Sequence, residues 1–253
     1  MKIEKIITTL AIVSIGLFTG CKKTSSAPAS TPAESTPNTM VVPLQTTTHA
    51  SVVLAGASNL AILAGSEITN TGATNITGDM GLSPGTSIGG FPPGILVGVQ
   101  HINDPIANQA KLDLTAAYND AAGRTSTDIV TIAGNIGGLT LTPGLYKSTS
   151  SLALSSGDLT FDAKGNANAV FIIQIASALT VTSGRKVFLA NGASASNIFW
   201  QVGSSATFGT TSAFKGTLLV MQSISFNTGA TLDGRALART GAVTMSGNTI
   251  VKQ

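Results

Sequence analysis

The chain has little charge and few aromatic side chains. Of its 253 residues, 10% are charged and 5% are aromatic, whereas roughly 25% of residues are charged in ordinary globular domains. The net charge is only +3, and four lysines lie in or directly after the N-terminal leader. No basic patch of the kind that follows a phosphate backbone is visible. Nucleic acid is therefore excluded as an expected partner.

Cysteine and histidine are nearly absent. A single cysteine, Cys21, excludes a disulfide framework. The two histidines, His49 and His101, have no second ligand near them in the sequence, so no metal site is predicted. The acidic residues are scattered and lie mostly beside glycine or in turns, without an acid–base partner. These absences predict a protein without a cofactor that is not an enzyme.

The N-terminal segment 1–20 has the pattern of a signal peptide. A short, mostly basic start, MKIEK, is followed by the apolar run IITTLAIVSIGLF, which is too short to span a bilayer comfortably. The sequence LFTGC then resembles a bacterial lipobox, in which Cys21 would become the acylated N-terminus, although Phe18 stands where leucine is usual. The alternative is an ordinary secretory signal with a chance cysteine. We expect an exported lipoprotein, held by its membrane anchor at the cell surface or outer membrane, or else a secreted protein.

The segment 21–50 is rich in Pro, Ser and Thr, which is typical of an extended tether. From Ser51 onward, short apolar runs are broken by Gly, Asn and Ser every few positions. That pattern predicts many short strands and tight turns. We therefore predict a signal peptide over 1–20, a tether over 21–50 and one folded domain over 51–253.

One segment, NDPIANQAKLDLTAAYNDAAGR, has the pattern of a helix. Asn103 or Asp104 can cap it, Pro105 lies in its first turn, and Gly123 can end it. Apolar residues recur at spacings of three and four and should pack against the domain. They are Ile106, Ala110, Leu114, Ala117, Tyr118 and Ala121.

A loose repeat follows in the second half of the chain. Its four segments have apolar centres at Val181, Phe208, Phe226 and Met245. These centres lie roughly 20 residues apart, and such intervals, when they contain several short strands, are typical of the coils of a β-solenoid. Stacking the coils would place one hydroxyl of each segment in an outward row, formed by Thr180, Thr207, Ser225 and Thr244.

Several long motifs, in order, resemble the large ice-binding protein family of cold-adapted bacteria, fungi and algae. They include NLAILAGSEITNTGATNITGDMGLSPG, the helix segment, LTPGLYK, NIFWQVG and FKGTLLVMQSISFNTGATLDGRALA, and they cover the chain from about Ser51 to its end. The resemblance implies a mainly β fold, a right-handed, discontinuous β-solenoid of triangular section with one α-helix packed along a side. It also implies adsorption to ice through a flat, Thr-rich face, which inhibits ice growth and recrystallisation. We expect the protein to be a monomer.

The resemblance also implies which residues contact ice. The family pattern T-[AG]-x-[TN] is matched by TGAT at 71–74 and again at 228–231, and more weakly at Thr210, at 246–249 and at 183–186, where Arg185 and Lys186 depart from it. The two TGAT copies are expected on adjacent coils of one face. The predicted ice-binding residues are Thr71, Thr74, Thr180, Thr207, Thr210, Thr228, Thr231, Thr244 and Thr249.

Two other functions stay open at this point. A surface adhesin or structural lipoprotein that binds polysaccharide would need an aromatic-lined or acidic groove. A solenoid polysaccharide enzyme would need carboxylates clustered in a cleft. The low content of aromatic residues argues against the first, and the scattered acidic residues argue against the second.

Overall fold

The computed structural model describes residues 42–253. The predicted signal peptide, Cys21 and most of the predicted tether lie outside the described residues. The described residues contain many short parallel strands, one α-helix, α1 (Pro105–Gly123), and two short 3₁₀ turns, Ala55–Asn59 and Ala195–Asn197. The short strands follow from the sequence, because glycine, asparagine and serine interrupt every apolar run.

The strands lie between residues 60 and 251. In chain order they are β1 (Leu60–Ala64), β2 (Glu67–Thr71), β3 (Asn75–Thr77), β4 (Asp79–Leu82), β5 (Ser87–Gly89), β6 (Ile95–Val97), β7 (Gln100–Ile102), β8 (Val130–Thr131), β9 (Gly134–Asn135), β10 (Thr140–Leu141), β11 (Gly144–Ser148), β12 (Leu152–Leu154), β13 (Leu159–Asp162), β14 (Phe171–Ile175), β15 (Leu179–Val181), β16 (Val187–Ala190), β17 (Ile198–Val202), β18 (Ala206–Phe208), β19 (Ala213–Val220), β20 (Ile224–Phe226), β21 (Thr231–Ala238), β22 (Val243–Ser246) and β23 (Thr249–Val251).

The strands stack as the coils of a β-solenoid, which confirms the predicted fold class. One sheet has eight strands in the order β5-β2-β22-β20-β18-β15-β12-β9. A second sheet has twelve strands, and a third consists of β10, β13 and β16. The solenoid is discontinuous, because the N-terminal strands β1 and β2 pair with the C-terminal strands β21 and β22.

Two long strands, β19 and β21, turn a corner and divide the twelve-stranded sheet between two sides of the solenoid. Their first halves stack with β23, β3 and β6, and their second halves stack with β17 and β1. At the corner Gly216 pairs with Gly234, and both have a positive φ, of 109° and 150°. These conformations strongly favour glycine. The three sides are the eight-stranded sheet, the side of β10, β13, β16 and the first halves, and the side under α1.

The interior is filled by inward ladders of apolar side chains. Val181, Phe208 and Phe226 stack in register, as the repeat predicted, and the rings of Phe208 and Phe226 lie 4.7 Å apart between centroids. Trp200 joins the same core through Phe161 and Phe214, at centroid distances of 5.6 Å and 4.8 Å. Such close aromatic contacts stabilise the coils beyond the contribution from burying the apolar surface of the rings.

Helix α1 begins and ends where the sequence predicts. Asp104 is the N-cap and accepts a hydrogen bond of 2.8 Å from the backbone N–H of Ala107. Five of the six predicted apolar positions are buried, but Ile106 is 50% exposed, and Ala107 packs inward instead. No helix within residues 42–253 is long and apolar enough to cross a membrane.

Hydrogen bonds from the solenoid residue Gln174 and from the helix residue Lys111 fasten the helix to its side. The amide of Gln174 donates to the carbonyls of Ala121 and Arg124, at 2.8 Å each, and so satisfies the end of the helix. At the other end, Lys111 donates to the carbonyl of Ala238 at 2.8 Å, and burial lowers the pKa of this amine to about 8, with nearby Arg239 adding to the shift. This side of the solenoid is therefore occupied.

The segment 42–50, which the sequence assigns to the tether, packs on the coils. It has no regular secondary structure, yet the side chain of Gln45 is buried and accepts from the N–H of Leu145 at 2.8 Å. Asp128 accepts from the N–H groups of Thr46 and Thr47, at 2.6 Å and 2.8 Å. The packed region therefore extends beyond the predicted boundary at residue 51, because composition shows low apolar content and does not reveal these hydrogen bonds.

Candidate functional site

The eight-stranded sheet presents a side that no other element covers among the described residues; we call it the open face. Outward residues alternate along its strands with buried apolar ones. Five consecutive strands place a hydroxyl at the same register, which forms the first row. Its members are Thr69, Thr244, Ser225, Thr207 and Thr180.

A second row of hydroxyls runs beside the first, where the strands enter the turns toward the neighbouring side. Thr71 pairs with Ser246, and the hydroxyl of Ser246 lies 3.1 Å from that of Thr228. The turns stack through backbone hydrogen bonds, including those from Gly247 to Thr71 and from Gly184 to Thr210. The second row comprises Thr71, Ser246, Thr228, Thr210 and Ser183.

The open face is almost free of charge. Glu67, at the outer end of β2, is the one charged residue in the eight strands, all of which belong to the described residues. Arg185 and Lys186, which depart from the family pattern, lie in the turn between β15 and β16, and Arg185 is 3.7 Å from Asp158. The charges therefore lie at the rim and leave the two rows neutral.

The structure brings together six of the nine predicted ice-contact residues on the open face. Thr180, Thr207 and Thr244 belong to the first row, and Thr71, Thr210 and Thr228 belong to the second. Thr231 and Thr249 lie around the corner, where they pair with each other on the neighbouring side.

Thr74 does not lie on the open face, which corrects the prediction for this residue. Its side chain is 0% exposed, and its hydroxyl donates to Asn70 and accepts from the N–H of Asn248. The strand register explains the error, because Thr231 and Thr249 align with Asn75. The first TGAT copy thus has one more residue before the next strand, and this residue turns Thr74 inward.

The expectation that the two TGAT copies lie on adjacent coils is also wrong. Strand β22 lies between β2 and β20, so the SGNT turn at 246–249 separates the copies. The three turns TGAT, SGNT and TGAT nevertheless follow one another along the corner of the open face. The two TGAT copies therefore form the same turn of the solenoid, on two coils that are separated by one other coil.

Thr69 was not predicted from the sequence as a member of the first row, although this residue extends the row by one strand. It pairs with Thr244, and Ile68 beside it is fully buried. The alternation in EITNT, with one apolar residue between polar ones, is the signal that could have found it.

Thr211 is strained in the turn that carries Thr210. Its φ is +56°, in a position where the following coils have glycine, at Gly229 with φ +71° and Gly247 with φ +57°. The left-handed conformation costs a non-glycine residue about 1–2 kcal/mol. Glycine avoids this strain, but its larger loss of conformational entropy on folding offsets part of the gain in stability. We expect Thr211→Gly to raise the free energy of unfolding by about 0.5–1 kcal/mol, measured by urea denaturation. Thr210→Gly, at a position without a positive φ, should lower it; stabilisation by both variants would contradict this account.

A cavity of 380 Å³ lies away from the two rows, between residues 42–44 and 128–131. It contains one carboxylate, Asp128, whose pKa is held below its usual range by hydrogen bonds from the Ser126 hydroxyl and the backbone N–H groups of Thr47 and Thr46. Within residues 42–253, no three His, Cys, Asp or Glu side chains are grouped so that they could hold a metal ion.

Comparisons with known proteins agree with this architecture. The chain matches the family model described as Ice-binding-like over residues 62–251. It is 46% identical over 199 residues to an ice-binding protein of Nostoc sp. (strain HG1), covering 78% of this chain and 73% of that one. An ice-binding protein of Flavobacterium frigoris (strain PS1) is 37% identical over 99% of both chains.

The same fold is found among solved structures. The crystal structure of an ice-binding protein from an Antarctic biological consortium superposes with a TM-score of 0.83 and 72% identity. That match covers 83% of this chain and 95% of the other. The chain belongs to the ice-binding-like family.

Proposed function

We propose that the protein binds ice through the open face and thereby inhibits ice growth and recrystallisation. The observation that carries this proposal is the pair of parallel hydroxyl rows on an uncovered sheet whose strands stack in register and are nearly free of charge. Membership of the ice-binding-like family and the names of the relatives support the same ligand.

The rows match the requirements of a crystalline ligand. Successive strands lie about 4.7–4.9 Å apart, so the hydroxyls of one row repeat at that spacing, which is on the scale of the repeats of ice. Each threonine adds a methyl group that orders nearby water and a hydroxyl that anchors it. Because threonine is stiff at χ1, it loses little rotamer entropy when it adsorbs.

The low charge of the face has a function in this proposal. A charged side chain holds its own hydration shell and resists desolvation, so it would oppose an ice-like arrangement of water. The proposed activity is adsorption without chemistry, and no residue is assigned a catalytic role. We also propose that the protein acts as a monomer, since a single open face contains both rows.

The test is thermal hysteresis and recrystallisation inhibition by residues 22–253, beside an unrelated protein at the same concentration. We expect a gap between the melting and freezing points, faceted crystals and slowed recrystallisation. Unshaped crystals without a gap would refute ice binding and return attention to polysaccharide binding.

We further propose that Cys21 is acylated and anchors the exported protein to a membrane. The lipobox-like LFTGC supports this proposal, and acylation with more than one chain gives stable membrane attachment. Expressed in a bacterial host with labelled palmitate, the chain should take up label and sediment with membranes, whereas Cys21→Ser should do neither. Equal labelling of the wild-type protein and the Cys21→Ser variant would contradict acylation at this residue.

A further inference from the structure

Three buried polar side chains lie beneath the second row of the open face. Asn70 is 7% exposed, Asn248 is 1% exposed and Thr74 is fully buried. Most of the interior at this level is apolar, so these groups would be costly without hydrogen-bond partners. Each of them has partners, and the partners lie on different coils.

The hydrogen bonds form one connected network. The hydroxyl of Thr74 donates to Oδ1 of Asn70 and accepts from the backbone N–H of Asn248 at 3.0 Å. The Nδ2 group of Asn70 donates to the carbonyls of Gly72 and Gly90, at 2.9 Å and 2.8 Å.

The network continues beyond Asn248 to the next coil. The Nδ2 group of Asn248 donates to the carbonyls of Asn227 and Ala230, at 2.8 Å and 3.0 Å, and the Oδ1 atom of Asn248 accepts from the N–H of Ser246. Asn227 and Ala230 enclose the turn that contains Thr228. The network therefore links the turns after β5, β2, β22 and β20, which are four successive coils.

The network ends at the next turn. Ser212 is fully buried and its carbonyl accepts from the N–H of Thr231, but its own hydroxyl has no hydrogen-bond partner within residues 42–253. The part of the second row above the network consists of Thr71, Ser246 and Thr228. These three hydroxyls are the ones whose turns are tied together from beneath.

We infer that Asn70, Thr74 and Asn248 are positioning residues that fix the spacing of Thr71, Ser246 and Thr228 for ice. This inference rests on the proposed function of the open face. A grid that matches a crystal needs its groups held within a fraction of an ångström, and buried hydrogen bonds are a means of holding them. The buried threonine of the first TGAT copy thus serves the same row from the inside.

The test compares Thr74→Val with Thr74→Ser. Valine keeps the shape of threonine but leaves Oδ1 of Asn70 and the N–H of Asn248 unpaired, whereas serine keeps the hydroxyl. We expect Thr74→Val to lower thermal hysteresis at equal concentration to less than about half of the wild-type value, and Thr74→Ser to restore most of it. Tyr146→Phe is the matched control, because it removes another buried hydroxyl, one that donates to the carbonyl of Thr142 at 2.6 Å away from the open face.

Amide hydrogen exchange gives a readout that does not depend on ice. The N–H groups of Gly229 and Gly247, which join the stacked turns, should exchange about tenfold faster in Thr74→Val than in the wild type or Thr74→Ser, since local opening becomes easier. Full thermal hysteresis in Thr74→Val, or the same loss in Thr74→Ser or Tyr146→Phe, would overturn the inference. A wild type without thermal hysteresis would refute the proposed function, and unchanged exchange would separately refute the network's role in holding the turns.

Discussion

Thr207→Tyr should abolish most of the thermal hysteresis while the protein keeps its fold. Thr207 is exposed in the first row, between Thr180 and Ser225 in register. A tyrosine would rise above the plane of the neighbouring hydroxyls and hold ice away from them. Tyrosine is well tolerated in strands, so the coils should stay intact. We expect activity at equal concentration to fall by about tenfold, as when a central contact of a binding surface is lost.

Thr160→Tyr is the matched control for this prediction. Thr160 is half-buried and pairs with Phe188 on the neighbouring side, away from both rows. It should keep wild-type thermal hysteresis, and circular dichroism should be the same for both variants. If Thr207→Tyr retains its activity and Thr160→Tyr loses it, the neighbouring side that carries Thr231 and Thr249 is the ice-binding surface.

Gly234→Ala should destabilise the protein strongly, although it adds a single methyl group. A Cβ at this position would lie 2.0 Å from the carbonyl oxygen of Gly216 on the adjacent coil, and φ is +150°. Because the contact is with backbone, a rotamer change cannot relieve it, and the coils must separate at the corner. We expect a loss of at least about 3 kcal/mol in the free energy of unfolding, from backbone strain and steric overlap together, measured by urea denaturation.

Gly165→Ala separates the two causes of this loss. Gly165 has a φ of +84°, but a Cβ there would meet no atom of the described residues within 4 Å. It should therefore lose only the strain, about 1–2 kcal/mol. Equal losses in the two variants would show that the close approach of Gly216 and Gly234 does not limit the packing of the coils.

The sequence predicted those parts of the fold that depend on local pattern. The limits of α1 followed from Asp104, Pro105 and Gly123, and the inward ladder followed from the recurrence of apolar centres such as Phe208 and Phe226. Both patterns arise because side chains within one helix face or one strand share a direction. Most of the first row was found for the same reason, since each strand repeats its alternation on the next coil.

The sequence could not reveal which of two similar residues points inward. Thr74 and Thr231 occupy the same place in identical tetrapeptides, yet one is buried and the other is partly exposed. The difference comes from one additional residue before β3, whose effect depends on where the neighbouring coil sets the register. The sequence also did not reveal that residues 42–50 pack on the coils. Their hydrogen-bond partners, Asp128 and Leu145, lie far from this segment in the sequence.

The insertion of β2 beside β22 has a consequence for how the molecule folds. Thr69 pairs with Thr244, so the first row joins residues from near the two ends of the domain. Pairings between distant segments form slowly, because the loop between them must be closed before any contact stabilises it. During synthesis the edge of β2 that pairs with β22 therefore stays unpaired until β22 has left the ribosome. A chain truncated before β22 would keep the pairing of β1 with β21 but lose the strand that joins β2 to the rest of the eight-stranded sheet.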